Sequence, residues 1–347
     1  MSHDPSRAFD IPCRPGKLRL RIRVAGIVIR GRELLVSGYR INGRDFHSLP
    51  GGGQQTGEPA TTALRRELSE ETSRPAAVGK PAYVAETFFP DPFHARPLHN
   101  LGLYFHADID GQPALGFENP DSPEAAIMTE VAFRHRAELE DLRLYPAGIA
   151  RVLDTDWGRL ESGGYLHLVG TQNRIADRVT GRQAWHPGRI RVRSVALIFD
   201  AHWNLLVVDN GRHLALPGGA LEPDELLTEC IVREVAEETG LRIRPLRLLY
   251  VNDNFFRDAC FAPEGLHELG CYWLCRVRGG ELKPLHREKD YELRFNWRSL
   301  NDLEDLLPAW LPDALRRGVN QGWPKPLGYV VSGDFPEKPL ADNPVVE

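Results

Sequence analysis

Three glutamates, Glu234, Glu237 and Glu238, lie three and four residues apart in the run Gly219 to Leu241. The same spacing recurs at Glu67, Glu70 and Glu71. Each set follows a glycine-rich turn, LPGGG at 49–53 and LPGGA at 216–220. On a helix of about 3.6 residues per turn, such carboxylates share one face. Like charges at that spacing cost a few tenths of a kcal/mol per pair. A divalent cation would offset the repulsion. Carboxylate oxygens are hard ligands, suited to Mg²⁺ or Mn²⁺ rather than zinc. Mg²⁺ also takes phosphate oxygens, so the implied substrate carries phosphate.

The plain alternative is a solvated helix face, the usual role of a lone Glu-Glu pair. The longer pattern weighs against it. In both copies a glycine (Gly52, Gly219) is followed six residues on by Glu58 or Glu225. Arg66-Glu67 or Arg233-Glu234 stand at fourteen and fifteen, and the Glu-Glu pair at eighteen and nineteen. The glycines after Leu-Pro let the backbone approach a metal and phosphates closely.

The elements that must position these residues are also duplicated. LRRELSEET at 64–72 recurs as IVREVAEET at 231–239, Phe88-Phe89 as Phe255-Phe256, and HNLGLYF at 99–105 as HELGCYW at 267–273. GYLHLVG at 164–170 is weakly echoed by GYVVSG at 328–333. The offsets stay near 167 residues, which marks a duplicated domain rather than a short solenoid repeat. The expected organisation is one domain over 17–170, a polar linker over 171–186, a second domain over 187–334 and a loose tail over 335–347. Each domain opens with strands, at 22–29 and 33–39 or 190–199 and 204–210. The turn and a helix follow, the helix carrying Leu64 and Leu68 or Ile231 and Val235 inward. Further strands are expected at 81–88 and 101–109, and at 246–252 and 269–277. A last helix is expected near Pro146 and Pro308. Mixed strands and helices indicate a layered α/β or α+β domain.

Composition narrows the class. The 347 residues are 42% apolar and 26% charged, with a formal net charge of -5. That is globular composition, and it disfavours a basic nucleic-acid binder. No apolar run approaches the ~18–20 residues that span a bilayer. The first residues lack an apolar core, so no secretory leader is expected. Five cysteines without a CxxC pair do not form a disulfide framework. A cytoplasmic location is expected.

The second run resembles the Nudix box at every defined position: Gly219, Glu225, Arg233, Glu234, Val235, Glu237, Glu238, Gly240 and Leu241. The first resembles it at Gly52, Glu58, Arg66, Glu67, Leu68, Glu70 and Glu71, and departs at Ser73 and Arg74. The chain is thus similar to Nudix hydrolases, as a tandem two-domain member. The resemblance implies two α/β/α sandwich domains with mixed sheets. It also implies Mg²⁺- or Mn²⁺-dependent hydrolysis of a nucleoside diphosphate linked to another group. By position, Glu67, Glu70, Glu71, Glu234, Glu237 and Glu238 would bind metal, with Gly52 and Gly219 supplying carbonyls. Arg66 and Arg233 would orient Glu67 and Glu234 in the catalytic set. Glu58 and Glu225 would stabilise the loop or assist the metal. The base may be a box glutamate or one from a later loop, for which Glu130 and Glu292 are candidates beside a plain surface role. Both sites are expected to keep metal chemistry, the second the more reliably. Single-domain relatives are often homodimers, so the two copies are expected to pack as an internal pseudo-dimer.

Phe88, Phe89, Phe255 and Phe256 are candidates for stacking a base; their alternative role is core filling. His99 and His267 recur, with a structural or a catalytic role equally compatible. Asn252 and Asn254 have no counterpart at Ala85 and Thr87, so the two sites would differ if these residues touch substrate. The partner expected is a nucleotide-type small molecule: a nucleoside triphosphate, a sugar nucleotide, ADP-ribose or a dinucleoside polyphosphate. The rival reading is a non-catalytic Nudix-fold module that senses a nucleotide. Membrane and nucleic-acid partners are not expected.

Overall fold

The computed structural model describes residues 14–333, apart from 42, 92–94, 116–124, 140, 143, 147, 156, 158–163, 168–178, 183–187, 212, 259–261, 284, 289–290 and 326. The chain divides into two compact units, residues 1–184 and 185–347. Of the stretch read as a linker, residues 179–182 form a strand beside the first unit's opening strand. The rest of that stretch and the tail after 333 lie outside the described residues.

The first unit runs β1 (Gly16–Ile27), β2 (Ile29–Arg30), β3 (Glu33–Ile41), β4 (Arg44–Ser48), α1 (Ala60–Thr72), β5 (Ala76–Pro90) and β6 (Pro97–Ile109). It continues with β7 (Met128–His135), β8 (Leu144–Tyr145), α2 (Ile149–Thr155), β9 (Gly164–His167) and β10 (Val179–Arg182). The second unit repeats the plan: β11 (Arg191–Ile198), β12 (Leu205–Asp209), β13 (Leu214–Ala215), β14 (Gly218–Ala220), α3 (Leu227–Thr239), β15 (Leu241–Asp258) and β16 (Ala262–Gly280). β17 (Leu285–Glu288), β18 (Tyr291–Arg298), α4 (Leu311–Gln321) and β19 (Gly328–Gly333) complete it.

Each unit has a five-stranded mixed sheet, in the orders β10-β1-β6-β5-β9 and β14-β11-β16-β15-β19, and a second sheet, of five strands in the first unit and four in the second. The hairpin strands β5–β6 and β15–β16 are longer than the apolar periodicity predicts. Backbone hydrogen bonds carry the antiparallel ladder past the apolar residues, and polar side chains there find buried partners.

On the box helices, Leu64 and Leu68 of α1 and Ile231 and Val235 of α3 are fully buried. Leu68 packs where Gly26 of β1 leaves room; a Cβ on Gly26 would lie 3.2 Å from it. Burying one such side chain stabilises by about 1.5–3 kcal/mol. That outweighs glutamate repulsion of a few tenths, so the acidic helix forms. The opposite sheet face is closed by the last helix and part of the second sheet. Ile149 and Leu153 of α2 join Leu34, Val36, Ala25, Tyr83 and Tyr104 in one core cluster. Leu311, Ala314 and Leu315 of α4 join Leu205, Val207, Val195, Tyr250 and Tyr272 in the other. Helices therefore cover both faces of the large sheet. Among the described residues, no helix is long and apolar enough to cross a membrane.

Both box helices end in a left-handed residue, Gly240 (φ 76°) in the second unit and Ser73 (φ 52°) in the first. Only glycine takes this conformation without a Cβ penalty. Ser73→Gly is therefore expected to stabilise the first domain by about 1 kcal/mol. Thermal unfolding of the variant should show a rise of a few degrees; an unchanged or lowered midpoint contradicts the strain.

The recurring histidines join three strands in each unit. His99 Nε2 lies 2.9 Å from Glu86 Oε1, and the Tyr165 hydroxyl donates to the other carboxyl oxygen. In the second unit His267 Nε2 lies 2.8 Å from Asp253 Oδ1, and Tyr329 donates to Oδ2. Phe88 and Phe255 stack on the histidines, each at 4.3 Å between ring centroids. The histidines and acids are almost wholly buried. The faint GYLH and GYVV echo thus supplies the tyrosine that fastens the parallel edge strand.

Candidate active site

The geometry starts at the glycine turn. Gly51 and Gly218 both have φ of 140°, and a Cβ there would stand 2.1 and 2.2 Å from the carbonyl oxygens of Val24 and Ser194. The turn is pressed against the first strand of the sheet, and only glycine fits. The following glycine touches the box helix instead. A Cβ on Gly52 would lie 2.1 Å from the Glu67 carboxylate, and one on Gly219 would lie 2.1 Å from Cδ of Glu234. The first box glutamate is thereby laid against the turn's backbone.

Arg66 and Arg233 link helix and loop. Arg66 donates to Glu58 at 2.9 Å through Nη2 and to Glu67 at 2.9 Å through Nη1. Arg233 grips Glu225 with two donors, at 2.7 and 2.9 Å, and reaches Glu234 at 2.8 Å. Glu70 and Glu237 approach the same guanidinium groups at 3.4 Å. Glu58 also accepts from the backbone of Gln55, and Glu225 from that of Glu222. Each therefore folds the loop back on itself while fixing the arginine. Burial works against the Arg66 charge, but Glu58 and Glu67 hold its pKa above the ordinary value. The hydrogen bonds that Arg233 donates to Glu225 do most to raise its own pKa. Partial burial pushes the Glu234 carboxyl upward.

The third box glutamate turns elsewhere in the first unit. Glu71 accepts from Ser37 at 2.8 Å, from Tyr39 at 3.3 Å and from the backbone of Gly51 at 3.2 Å. Glu238 accepts from the backbone of Gly218 at 3.0 Å. Among the described residues, no three acidic, imidazole or thiol groups already converge as a ligating cluster. Arg66 and Arg233 neutralise two glutamates of each box, and the turn's backbone takes the third. The donor set nevertheless suits a hard divalent cation: carboxylates beside a glycine backbone that a Cβ would fill.

Burial pushes the Glu71 carboxyl up to about 8 from 4.5, against the pull of Arg23 and Ser37. Between those values the native state holds a proton that the unfolded chain has released. Stability of the metal-free first domain is therefore expected to fall as pH rises from about 4.5 towards 8. Thermal unfolding of the wild type and Glu71→Gln across that range isolates this group. Parallel profiles for the two proteins would contradict it.

Two residues escaped the sequence reading. Arg23 on β1 donates to the carbonyl of Leu49 at 2.9 Å and to Ser48 at 3.3 Å. Arg193 on β11 donates to the carbonyls of Gly218 at 2.9 Å and Leu216 at 3.3 Å. Burial works against both charges. The fields of Tyr39, Glu71, Tyr104 and Glu67 raise Arg23, and those of Glu268, Glu238, Tyr272 and Glu234 raise Arg193. Each arginine thus ties the first strand of its sheet to the glycine turn, within the field of the box carboxylates. The signal was present: arginines alternating with apolar residues along the strand, at matching places in both copies. Gly102 and Gly270 let Tyr104 and Tyr272 lie across them, since a Cβ would meet those rings at 2.7 and 2.9 Å.

The aromatic candidates divide by strand alternation. Phe89 and Phe256 lie on the sheet face that carries Arg23 and Arg193. Phe88 and Phe255 lie on the other, against the histidines. Glu130 is held by Arg134 and by His47 at 3.2 Å, whereas Glu292 is exposed with Arg294 at 3.8 Å.

Comparison with known proteins agrees with this architecture. The NUDIX domain model matches residues 19–148 and 189–317. The chain therefore belongs to the Nudix family, with two of its domains in tandem. Over 92 residues it is 41% identical to an ADP-ribose pyrophosphatase of Methanocaldococcus jannaschii, which covers 26% of this chain and 49% of that protein. The chain thus spans about half the length of that curated relative. Among solved structures, an ADP-ribose pyrophosphatase of Streptococcus suis is 21% identical and covers 42% of this chain and all of its own, with a TM-score of 0.31. A UDP-X diphosphatase is 19% identical and covers 55% of this chain and 83% of its own, with a TM-score of 0.33.

Proposed function

We propose that both domains hydrolyse a phosphoanhydride bond in a nucleoside diphosphate linked to another group. The observation that carries this reading is the doubly built cluster of glycine, two loop-fixed glutamates and an arginine, bordered by Arg23 or Arg193. Glu67, Glu70 and Glu71, and Glu234, Glu237 and Glu238, would hold Mg²⁺ or Mn²⁺, with the carbonyls of Gly52 and Gly219 beside them. Such a cation, when bound, screens the phosphate charge and acidifies a coordinated water.

The protein's own residues supply alignment. Arg66 and Arg233 hold the first glutamates at the turn, and Glu58 and Glu225 keep those arginines in place. Arg23 and Arg193 offer positive charge on the side where an anionic diphosphate would approach. A carboxylate of the box or of a neighbouring loop takes the proton of the attacking water. Alignment and charge stabilisation supply most of the acceleration in phosphoryl transfer. The candidate substrates are nucleoside triphosphates, sugar nucleotides, ADP-ribose and dinucleoside polyphosphates; the name of the M. jannaschii relative makes ADP-ribose a natural first compound to test. The two domains are proposed to pack as an internal pseudo-dimer, which independent tumbling in solution scattering would contradict.

The test is a panel of these compounds with Mg²⁺ or Mn²⁺, following release of nucleoside monophosphate. Turnover that disappears with chelator supports the reading. Tight nucleotide binding without turnover of any phosphoanhydride would replace it with a sensing module.

A further inference from the structure

The sheet faces that carry Arg23 and Arg193 differ between the two units. Both carry an arginine at the same register position: Arg21 lies opposite Asn100, and Arg191 opposite Glu268. The same face then carries Thr87 in the first unit and Asn254 in the second, paired across the hairpin with Asn100 and Glu268 respectively. Arg193, two residues from Arg191 on the same face, joins this face to the catalytic cluster by donating to the carbonyl of Gly218 at 2.9 Å.

Asn100 is 1% exposed, and its carboxamide oxygen has no hydrogen-bond partner. Glu268 is 7% exposed, with Arg191 at 3.8 Å. The fold therefore accepts a neutral residue here and does not require the carboxylate. A buried carboxylate beside an anionic diphosphate is unfavourable by desolvation and repulsion. It becomes favourable when an uncharged part of the ligand presents N–H or O–H donors to it, because hydrogen bonds to a charged group are the strong ones.

We propose that Glu268 is a specificity-determining residue of the second site. Its carboxylate accepts hydrogen bonds from donor groups on the organic moiety beyond the diphosphate. The first site, with Asn100 in that place, selects differently. The inference rests on the hydrolytic reading above and deepens it. The donors are the N–H groups of a base or the hydroxyls of a second sugar.

The experiment uses the full chain with one box disabled by Glu67→Gln, so that the second site reports alone. Two ligand pairs separate the sources of donors. GTP and ITP differ in one exocyclic amino group, and ADP-ribose and ADP differ in the second sugar. The parent is expected to prefer the donor-bearing member of one pair by about tenfold or more in kcat/KM, since a charged hydrogen bond contributes ~1.5–3 kcal/mol. Glu268→Asn should reduce that preference to within about threefold, mainly through KM. Asn100→Glu, in a Glu234→Gln background, should create the same preference in the first site.

An equal loss on all substrates, or an unchanged ratio in both exchanges, would overturn the proposal. Calorimetric binding of the same pairs reads the ratio without turnover. Absence of hydrolysis would thus sink the enzymatic reading while leaving the role of Glu268 measurable.

Discussion

Glu67→Gln combined with Glu234→Gln is expected to lower metal-dependent hydrolysis by about 10³-fold, the scale on which charge stabilisation and proton transfer each act. The substitution keeps the side chain's size and one acceptor oxygen, so Arg66 and Arg233 retain a partner. What is lost is the negative charge laid against Gly52 and Gly219. Each single variant should silence one site and leave the other. Hydrolysis should fall more after Glu234→Gln, because the second box has the fuller motif. The left-handed Ser73 that departs from it lies outside the carboxylate cluster, so both sites are expected to work. Initial rates with Mg²⁺ and Mn²⁺ check both points, alongside circular dichroism for the fold. A double variant at wild-type rate would refute the assignment, and unchanged hydrolysis after Glu234→Gln would refute the ranking.

Gly219→Ala should be the next most damaging change in the second site. Its Cβ would stand 2.1–2.3 Å from the carboxyl atoms of Glu234. Those atoms end a flexible side chain, so the chain can swing away at a stability cost of about 1–3 kcal/mol, typical of overpacking. The same swing moves Glu234 out of place. A displacement of that size in a catalytic group costs about 10²-fold. The expected result is a folded protein with a crippled second site, read in a Glu67→Gln background. Gly218→Ala makes the control. Its Cβ would strike the Ser194 carbonyl, and φ of 140° excludes ordinary side chains. That variant should lose stability first. Wild-type kcat/KM in Gly219→Ala would show that contact with Glu234 does not set the reaction geometry.

Much of this site could be read along the chain. The resemblance to the Nudix box implied that Arg66 and Arg233 pair with box glutamates, and each donates to one, at 2.9 and 2.8 Å. Ser73, where the first run departs from the box, takes the same left-handed helix end as Gly240, at φ 52°. Such features depend on residues within about one box of each other, where helical periodicity fixes which side chains meet. Glu130 and Glu292, the candidates for a base outside the box, have different surroundings. Glu130 meets His47 two strands away, across Gly38 of β3, while Glu292 faces solvent beside Arg294.

The sequence by itself determined the duplication, the two acidic helices and the glycine turns before them, because each is written in local spacing. Only the tertiary structure decided which strand residues face those helices. Arg23 meets Ser48 and Leu49, Glu86 meets His99 and Tyr165, and Glu268 lies opposite Arg191. These encounters depend on register between strands far apart in sequence. A slip of one residue would turn every such side chain to the opposite face, and no single strand carries the information that sets its register against another.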